Sequence, residues 1–182
     1  MNFINKVCSF TGYRSKKLCE SLGSFEQTEL DELKDAICVQ ITELINRDFT
    51  TFQCGMALGA DMIFADAVLE LKKKYSLVKF IAVIPCIGQE KAWKESQQIK
   101  YRHILENADE VIYVSDTEYF DGCMQKRNRY LVDTCELLLA VYDGKRGGTM
   151  QTVEYAKRGN KKVVIIDPST LLRVTIPKQG RL

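Results

Sequence analysis

Short apolar runs alternate with longer amphipathic stretches along almost the whole chain. The apolar runs lie at 6–10, 51–55, 78–85, 109–115, 136–143 and 161–167. The stretches with apolar residues at helical spacing lie at 27–46, 59–75, 90–107, 122–134 and from the Gly147-Gly148 pair to about Arg158. Parallel strands need crossover connections, which helices supply, and strands buried on both faces are almost continuously apolar. The pattern therefore predicts an α/β fold: a doubly wound, mostly parallel sheet of about six strands with helices on both faces.

The chain is long enough for a single domain with a complete core. Its 182 residues are 46% hydrophobic and 27% charged, as in soluble globular proteins. We find no internal repeat or linker, so we predict one domain over residues 1–182, with 168–182 as a short C-terminal tail. No apolar run approaches the length of a membrane span, and the N-terminal stretch MNFINKVCSFTGY lacks the apolar segment of a signal peptide. We therefore expect no membrane partner.

Cysteine content and charge narrow the functional classes. The seven cysteines include no C-x-x-C pair, and the one histidine is His103, so no metal site is predicted. Free thiols in that number are typical of a reducing compartment, and we expect a cytoplasmic protein. The formal net charge is only +2, which does not indicate nucleic acid as the main partner. The basic stretch KRNRY at 126–130 keeps nucleic acid open as an alternative.

Glycine-bearing loops follow several of the predicted strands. The loops are TGYR at 11–14, GMALGAD at 55–61, PCIGQEKAW at 85–93 and DGKRGGT at 143–149. Ligands of open α/β sheets bind at the carboxyl ends of the strands. Glycine permits positive φ and close approach of a ligand, and a helix N-terminus offers unpaired N–H groups. Together the loops predict a phosphate-bearing ligand, although each turn alone is also what an ordinary tight turn requires.

The loop residues predicted to contact this ligand are Thr11, Gly12, Tyr13, Arg14, Gly55, Gly59, Ala60, Asp61, Pro85, Asp143, Gly147 and Gly148. Asp61 is either a capping acid of its helix or a ribose contact, and the sequence leaves both readings open. No G-x-G-x-x-G and no G-x-x-x-x-G-K-[ST] motif is present, so neither the dinucleotide fingerprint nor the Walker loop applies.

Four stretches resemble the SLOG superfamily, and its YpsA-type branch most closely: FTGYR, GMALGAD, IPCIGQEKAW and MQKRNRYLVDTCELLLAVYDGKRGGTMQTVEYA. This superfamily unites the DNA-processing protein DprA with the lonely-guy (LOG) phosphoribohydrolases. The resemblance extends over nearly the whole chain. It implies a Rossmann-like sheet and a pocket for nucleotides or nucleotide-derived ligands.

LOG enzymes carry an Arg-Lys pair upstream of a P-G-G-x-G-T-x-x-E motif. By this resemblance Arg127 and Asn128 stand at the first pair, and Glu154 stands at the motif glutamate, seven residues after Gly147. The loop departs from the motif, since the proline, third glycine and threonine are replaced by Arg146, Met150 and Gln151, respectively. Hydroxyls of Thr149 and Thr152 would then help to hold the phosphate.

The resemblance implies three alternative functions. The first is a sensor or processing protein that binds a small-molecule nucleotide derivative and requires no other cofactor. The second is a LOG-like phosphoribohydrolase, in which Glu154 and Arg127 would be catalytic and would cleave an N-glycosidic bond. Against catalysis, Glu154 is also placed to pair with Arg158 on the helix surface. The third is DprA-like binding of single-stranded DNA. LOG relatives form dimers, so a homodimer is a further expectation, with DTEYFDG at 116–122 as a contact or lid.

Overall fold

The computed structural model describes residues 5–23 and 26–178, and these residues form seven strands and six helices. The strands are β1 (Lys6–Gly12), β2 (Phe49–Cys54), β3 (Lys79–Ile84), β4 (Glu110–Tyr113), β5 (Leu137–Val141), β6 (Lys162–Ile166) and β7 (Arg173–Ile176). The helices are α1 (Ser15–Leu22), α2 (Gln27–Ile45), α3 (Ala60–Lys72), α4 (Glu95–Asn107), α5 (Cys123–Asp133) and α6 (Gly148–Arg158).

All seven strands belong to one sheet, in the order β4-β3-β2-β1-β5-β6-β7. Strands β1 to β6 pair in parallel, and β7 pairs antiparallel with β6. This confirms the predicted α/β, Rossmann-like, mostly parallel sheet. The chain builds one half of the sheet outward from β1 to β4, and then returns to the other side of β1 with β5. The order of the strands therefore reverses between β1 and β5.

Strand β7 lies within residues 168–182, which are predicted above to form a short C-terminal tail. Its burial pattern shows why it was missed, because Arg173, Val174 and Thr175 are exposed and no apolar run marks the strand. Residues 179–182 of that stretch lie outside the described part of the chain.

The helices cover both faces of the sheet, as predicted. Helices α1 to α4 contribute to the larger apolar cluster, in which the Phe10 ring of β1 stacks on the Phe64 ring of α3 at a centroid distance of 4.3 Å. Helices α5 and α6 pack on the opposite face in a smaller cluster that includes Val132 and Val153. All five residues of β5 are buried, as expected for a central strand covered on both sides.

Two helices differ from their predicted extents. Helix α1 was not predicted, because its eight residues bury little besides Leu18 and Ser21. Helix α4 begins at Glu95, whereas the sequence predicted a start near 90. The residues before it form turns, and Trp93 packs edge-on against Tyr101 with ring centroids 5.3 Å apart. His103 is exposed on α4, in line with its reading as a surface residue.

Among the described residues, no helix combines the length and apolar character needed to cross a membrane.

Candidate functional site

A cavity of about 590 Å³ opens at the carboxyl end of β1, beside the point where the strand order reverses. We call it the main cavity. Its wall combines the end of β1 and the start of α1 with Ala57 and Asp61 from the loop and helix after β2. Helix α5 and the first turn of α6 close the wall, together with Tyr119 and Asp121 from the loop before α5. Four segments that are distant in sequence thus meet around one space.

The main cavity gathers some of the sequence-predicted residues and leaves others outside its wall. Those that line it are Thr11, Gly12, Tyr13, Arg14, Asp61, Arg127, Asn128, Gly148 and Thr149. Those that do not line it are Gly55, Gly59, Ala60, Pro85, Asp143, Gly147, Thr152 and Glu154. Several residues of the second group position the residues that line the cavity.

Gly55 makes room for a side chain of the protein, where the sequence suggested room for a ligand. A Cβ atom built on Gly55 would lie 1.4 Å from Nη1 and 2.0 Å from Cζ of Arg127. Because Gly55 has no side chain, the space at the end of β2 accommodates the guanidinium of Arg127, which extends from α5.

Gly59 and Gly12 bring the loops after β1 and β2 together. Gly59 has φ of 108°, and a Cβ there would lie 2.5 Å from the carbonyl oxygen of Tyr13. The Ala60 N–H donates to that same carbonyl at 3.0 Å. At Gly12, a Cβ would lie 2.5 Å from the Cβ of Ala60. The two loops touch backbone to backbone, which places Arg14 and Asp61 in the wall of one cavity.

Asp61 and Arg127 form a buried pair of opposite charges in the cavity wall. Their side chains are only 7% and 5% exposed, and Arg127 Nη1 lies 4.0 Å from Asp61 Oδ2. Asp61 Oδ2 accepts the Ala57 N–H at 3.1 Å, and Arg127 Nε donates to Asn128 Oδ1 at 2.8 Å. Nη1 has no hydrogen-bond partner among the described residues.

Burial dominates the electrostatics of this pair. It raises the pKa of Asp61, against the opposing effect of the Arg127 charge, and it lowers the pKa of Arg127, against the effect of Asp61. A buried charge that loses its partner typically costs about 3–5 kcal/mol. Each group thus depends on the other, yet the distance between them is too long for a direct hydrogen bond.

Asp143 anchors the loop that leads into α6. Its carboxylate accepts hydrogen bonds from the hydroxyls of Tyr13 and Ser21, and from the Lys145 N–H at 3.1 Å. The Lys145 ammonium lies 2.7 Å from Oδ2. Burial alone would raise the pKa of Asp143, but the hydrogen bonds from Lys145, Tyr13 and Ser21 outweigh it and hold that pKa well below its usual range. Burial and the bond to Asp143 raise the pKa of Tyr13.

Lys17 ties the same loop to α1. Its ammonium donates to the carbonyl oxygens of Lys145, at 3.3 Å, and Arg146, and it lies 4.5 Å from the centre of the Tyr13 ring. A Cβ on Gly147 would lie 3.0 Å from this Nζ atom, and Gly147 has φ of 153°. Lys17 therefore places a positive charge next to Gly147, the residue that precedes α6.

The N-terminus of α6 opens into the main cavity. Gly148 and Thr149 line the cavity, and no side chain caps this end of the helix. Uncapped N–H groups with the helix dipole favour an anion at this place.

Some residues of the cavity wall were not anticipated from sequence. They include Lys16, Lys17 and Glu20 from α1, and Met124, Gln125 and Leu131 from α5. The first three were missed because α1 itself was missed, although the two lysines that follow TGYR and one serine were a usable signal.

Glu154 lies away from the main cavity. Its side chain is 45% exposed, and Oε1 accepts from Lys157 Nζ at 2.8 Å. The sequence suggested pairing with Arg158, so the partner is one residue earlier. Thr152 also faces elsewhere: its hydroxyl donates to the Gly148 carbonyl at 2.9 Å.

A second cavity of about 240 Å³ lies between α5 and α6 and adjoins the main one. It is lined by Gln125, Asn128, Arg129, Gln151, Thr152, Tyr155 and Arg158. Of these residues, Gln125, Asn128 and Gln151 also line the main cavity. The Arg129 guanidinium lies 6.0 Å from the centre of the Tyr155 ring.

Cysteines near the strand ends are buried thiols. Burial raises the pKa of Cys54 and of Cys86. The sulfur atoms of Cys86 and Cys123 lie 4.0 Å apart. Within 5–23 and 26–178, no cluster of three or more histidine, cysteine or acidic side chains is arranged to hold a metal ion.

A mostly parallel sheet with this strand order and helices on both faces defines a Rossmann-like α/β class. Comparison with known families is more specific, because the model of the YspA SLOG family matches residues 8–171. The chain belongs to this family, which confirms the resemblance found in its sequence.

Relatives in the bacilli support this assignment. The chain is 37% identical over 139 residues to the SPbeta prophage-derived protein YoqJ of Bacillus subtilis, covering 70% of this chain and 81% of the relative. It is 32% identical over 156 residues to a UPF0398 protein of Halalkalibacterium halodurans, covering 84% and 81%.

Solved structures of DNA processing protein A share the fold. The protein from Streptococcus pneumoniae superposes with a TM-score of 0.65 at 18% identity, covering 93% of this chain and 53% of that one. The chain thus spans about half the length of that protein. The Helicobacter pylori protein, whose structure was described for its single-stranded DNA binding mode, superposes with a TM-score of 0.59 at 16% identity, covering 90% and 66%. At these identities the likeness concerns the fold.

Proposed function

We propose that this protein binds a phosphate-bearing nucleotide or nucleotide derivative in the main cavity. The observation that carries the proposal is the position of the cavity, at the carboxyl end of β1 where the strand order reverses. Open α/β sheets bind their ligands at such a point. The volume of about 590 Å³ lies within the range of small-molecule sites and suits a ligand of nucleotide size.

The phosphate lies at the N-terminus of α6. There Gly148 and Thr149 of the first turn line the cavity, and Lys17 places its charge beside Gly147. A contact with the helix dipole contributes about 0.3–1 kcal/mol, and a charge-assisted hydrogen bond contributes about 1.5–3 kcal/mol. Arg14 and Lys16 are exposed on the same wall and supply such bonds. The wall also carries Glu20, so the anion is expected at the helix end rather than anywhere along the wall.

A thermal-shift panel tests this proposal. The panel contains nucleoside 5′-monophosphates, nucleoside diphosphates, dinucleotides and ADP-ribose, with the matching phosphate-free nucleosides as controls. We expect phosphate-bearing members to raise Tm and their nucleosides to have much less effect, because a ligand stabilises the folded state by RT ln(1 + [L]/Kd). Lys16→Gln should weaken the effect, whereas Lys73→Gln, at an exposed lysine on the C-terminal side of α3, should not. The absence of any shift at millimolar concentrations would reject the proposal.

Binding of single-stranded DNA is a second candidate, favoured by the second cavity. Tyr155 offers a ring, and Arg129 and Arg158 offer positive charge, directly beside the main cavity. Single strands are held by this combination of aromatic stacking and phosphate contacts. Fluorescence anisotropy of a labelled oligo(dT) at several salt concentrations tests it. We expect binding to weaken as salt rises and on Arg129→Gln. If the anisotropy of the oligonucleotide does not rise as protein is added at low salt, DNA is rejected as a ligand.

The structure gives less support to the phosphoribohydrolase alternative. Cleavage of an N-glycosidic bond needs a carboxylate at the sugar, and the predicted carboxylate, Glu154, pairs with Lys157 outside the main cavity. Asp61 is the buried carboxylate in the wall, and its neighbourhood favours binding over turnover, because Arg127 offsets its charge.

A further inference from the structure

The main cavity offers two chemically different surfaces to a ligand. At the N-terminus of α6 the groups are N–H donors with positive charge nearby. At the Asp61–Arg127 pair a carboxylate and a guanidinium lie 4.0 Å apart, so donor and acceptor stand side by side and the charges offset each other. A phosphate gains little at the second surface, because the Asp61 carboxylate repels it while the Arg127 guanidinium attracts it.

The Asp61–Arg127 pair instead suits a ligand group that both donates and accepts hydrogen bonds. Its charges are too far apart for a direct hydrogen bond, and Arg127 Nη1 has no partner within the described residues. A hydroxyl donates its hydrogen to a carboxylate and accepts a hydrogen from a guanidinium with the same oxygen atom. Two adjacent hydroxyls engage both side chains at once. Nη1 is buried against Gly55, so the guanidinium must tilt toward the ligand to complete this contact.

We propose that Asp61 and Arg127 recognise the vicinal 2′- and 3′-hydroxyls of a ribose, so that the protein selects ribonucleotides over 2′-deoxyribonucleotides. This inference rests on the proposed function and adds the sugar to it. The phosphate lies at the α6 end of the cavity and the ribose against the charged pair.

The edge of a nucleobase also pairs a donor with an acceptor, but the surroundings favour the sugar. A base needs an open ring face or a flat apolar wall to stack on. Of the aromatic side chains in the wall, Phe10 and Tyr13 are at most 2% exposed, and Tyr119, at 68%, offers a free face. Tyr119 belongs to the loop before α5, so the base is expected toward that loop and the ribose against Asp61.

Isothermal titration of matched ligand pairs tests the inference. The probes are AMP and GMP, each with its 2′-deoxy form, and ribose 5-phosphate with 2-deoxyribose 5-phosphate, which carry no base. We expect the ribose member of each pair to bind about ten-fold or more tightly, because the deoxy analogue leaves buried polar groups unpaired. Asp61→Asn should reduce this preference to about three-fold or less, because it weakens binding of the ribose members more than binding of the deoxy members, which keep only the 3′-hydroxyl. A purely structural role for Asp61 would weaken both members equally.

The other outcomes each decide the question. Equal binding of both members by the wild-type protein overturns the ribose inference and leaves the proposed function in place. Strong discrimination between AMP and GMP, with none between the two sugar phosphates, assigns the pair to the base and also overturns it. If no nucleotide or sugar phosphate binds, the proposed function and this inference fail together. Should Asp61→Asn prove unstable, as judged by circular dichroism, the comparison of wild-type affinities alone still decides between these results.

Discussion

The guanidinium of Arg127 occupies the space in which a side chain on Gly55 would stand, with only 1.4 Å between Nη1 and a Cβ built there. This relationship joins the end of β2 to the middle of α5. It also explains how Arg127 can be only 4% exposed and still belong to the wall of the main cavity. The glycine and the arginine therefore act as one unit, and replacing either one disturbs the other.

Replacement of Gly55 by alanine should destabilise the protein and disturb the cavity. The added methyl group forces the Arg127 guanidinium out of its place, and overpacking of this kind costs about 1–3 kcal/mol. Gly148→Ala is a matched control, since a Cβ at Gly148 meets no atom within 4 Å among those described. Urea unfolding of the two variants measures the difference. Equal free energies of unfolding would show that Arg127 is not held as described.

The strand-end loops were predictable because they follow from local patterns. Apolar runs mark β1 to β6, and the parallel arrangement brings Gly12, Asp61 and Gly148 to one edge of the sheet. The role of Gly55 was not predictable, because a glycine that makes way for a ligand and one that makes way for Arg127 look the same in sequence. Only the packing of α5 against the end of β2 distinguishes them.

Other features lacked any local signal. Helix α1 has only eight residues, too few for a sustained apolar repeat, and β7 is largely exposed, so neither gives the pattern that identifies a longer element. Glu154 was placed at the site by the resemblance to the motif glutamate of LOG enzymes, and a matching position in a motif does not fix what the side chain contacts. In the structure the Glu154 side chain contacts Lys157 and solvent.

Asp143 should make the protein more stable above about pH 5 than in acid. Its pKa is lowered in the folded state, so the unfolded chain binds a proton at higher pH and stability is lost as pH falls below about 4, the usual range of an aspartate. Asp143→Asn should therefore cost about 1.5–3 kcal/mol at neutral pH, and this cost should shrink as pH falls.

Chemical denaturation at a series of pH values between 3 and 7 measures this effect. Asp116→Asn, at an exposed aspartate, provides the control and should change stability little at any pH. A cost for Asp143→Asn that stays constant across the series would contradict the role assigned to the carboxylate.

The seven thiols should divide into two reactivity classes in the native protein. Cys19 and Cys38 are half-buried, and Cys8, Cys54, Cys86, Cys123 and Cys135 are buried. With Ellman's reagent we expect at most the first two to react quickly, and Cys38 to speed up as pH rises, because burial raises its pKa. All seven should react after unfolding. Rapid native reaction of more than two thiols would contradict the described burial, and Cys19→Ser with Cys38→Ser should abolish the fast phase.

Glu154→Gln should leave nucleotide binding unchanged. The side chain is 45% exposed and pairs with Lys157, and exposed pairs of this spacing contribute only a few tenths of a kcal/mol. The variant should therefore show the same ligand-induced rise in Tm as the wild-type protein, and so should Glu106→Gln, at an exposed glutamate of α4. Chromatography of incubated AMP samples completes the test. Release of adenine by the wild-type protein that disappears in Glu154→Gln, but not in Glu106→Gln, would place Glu154 at the reacting bond and favour the phosphoribohydrolase over the binding protein.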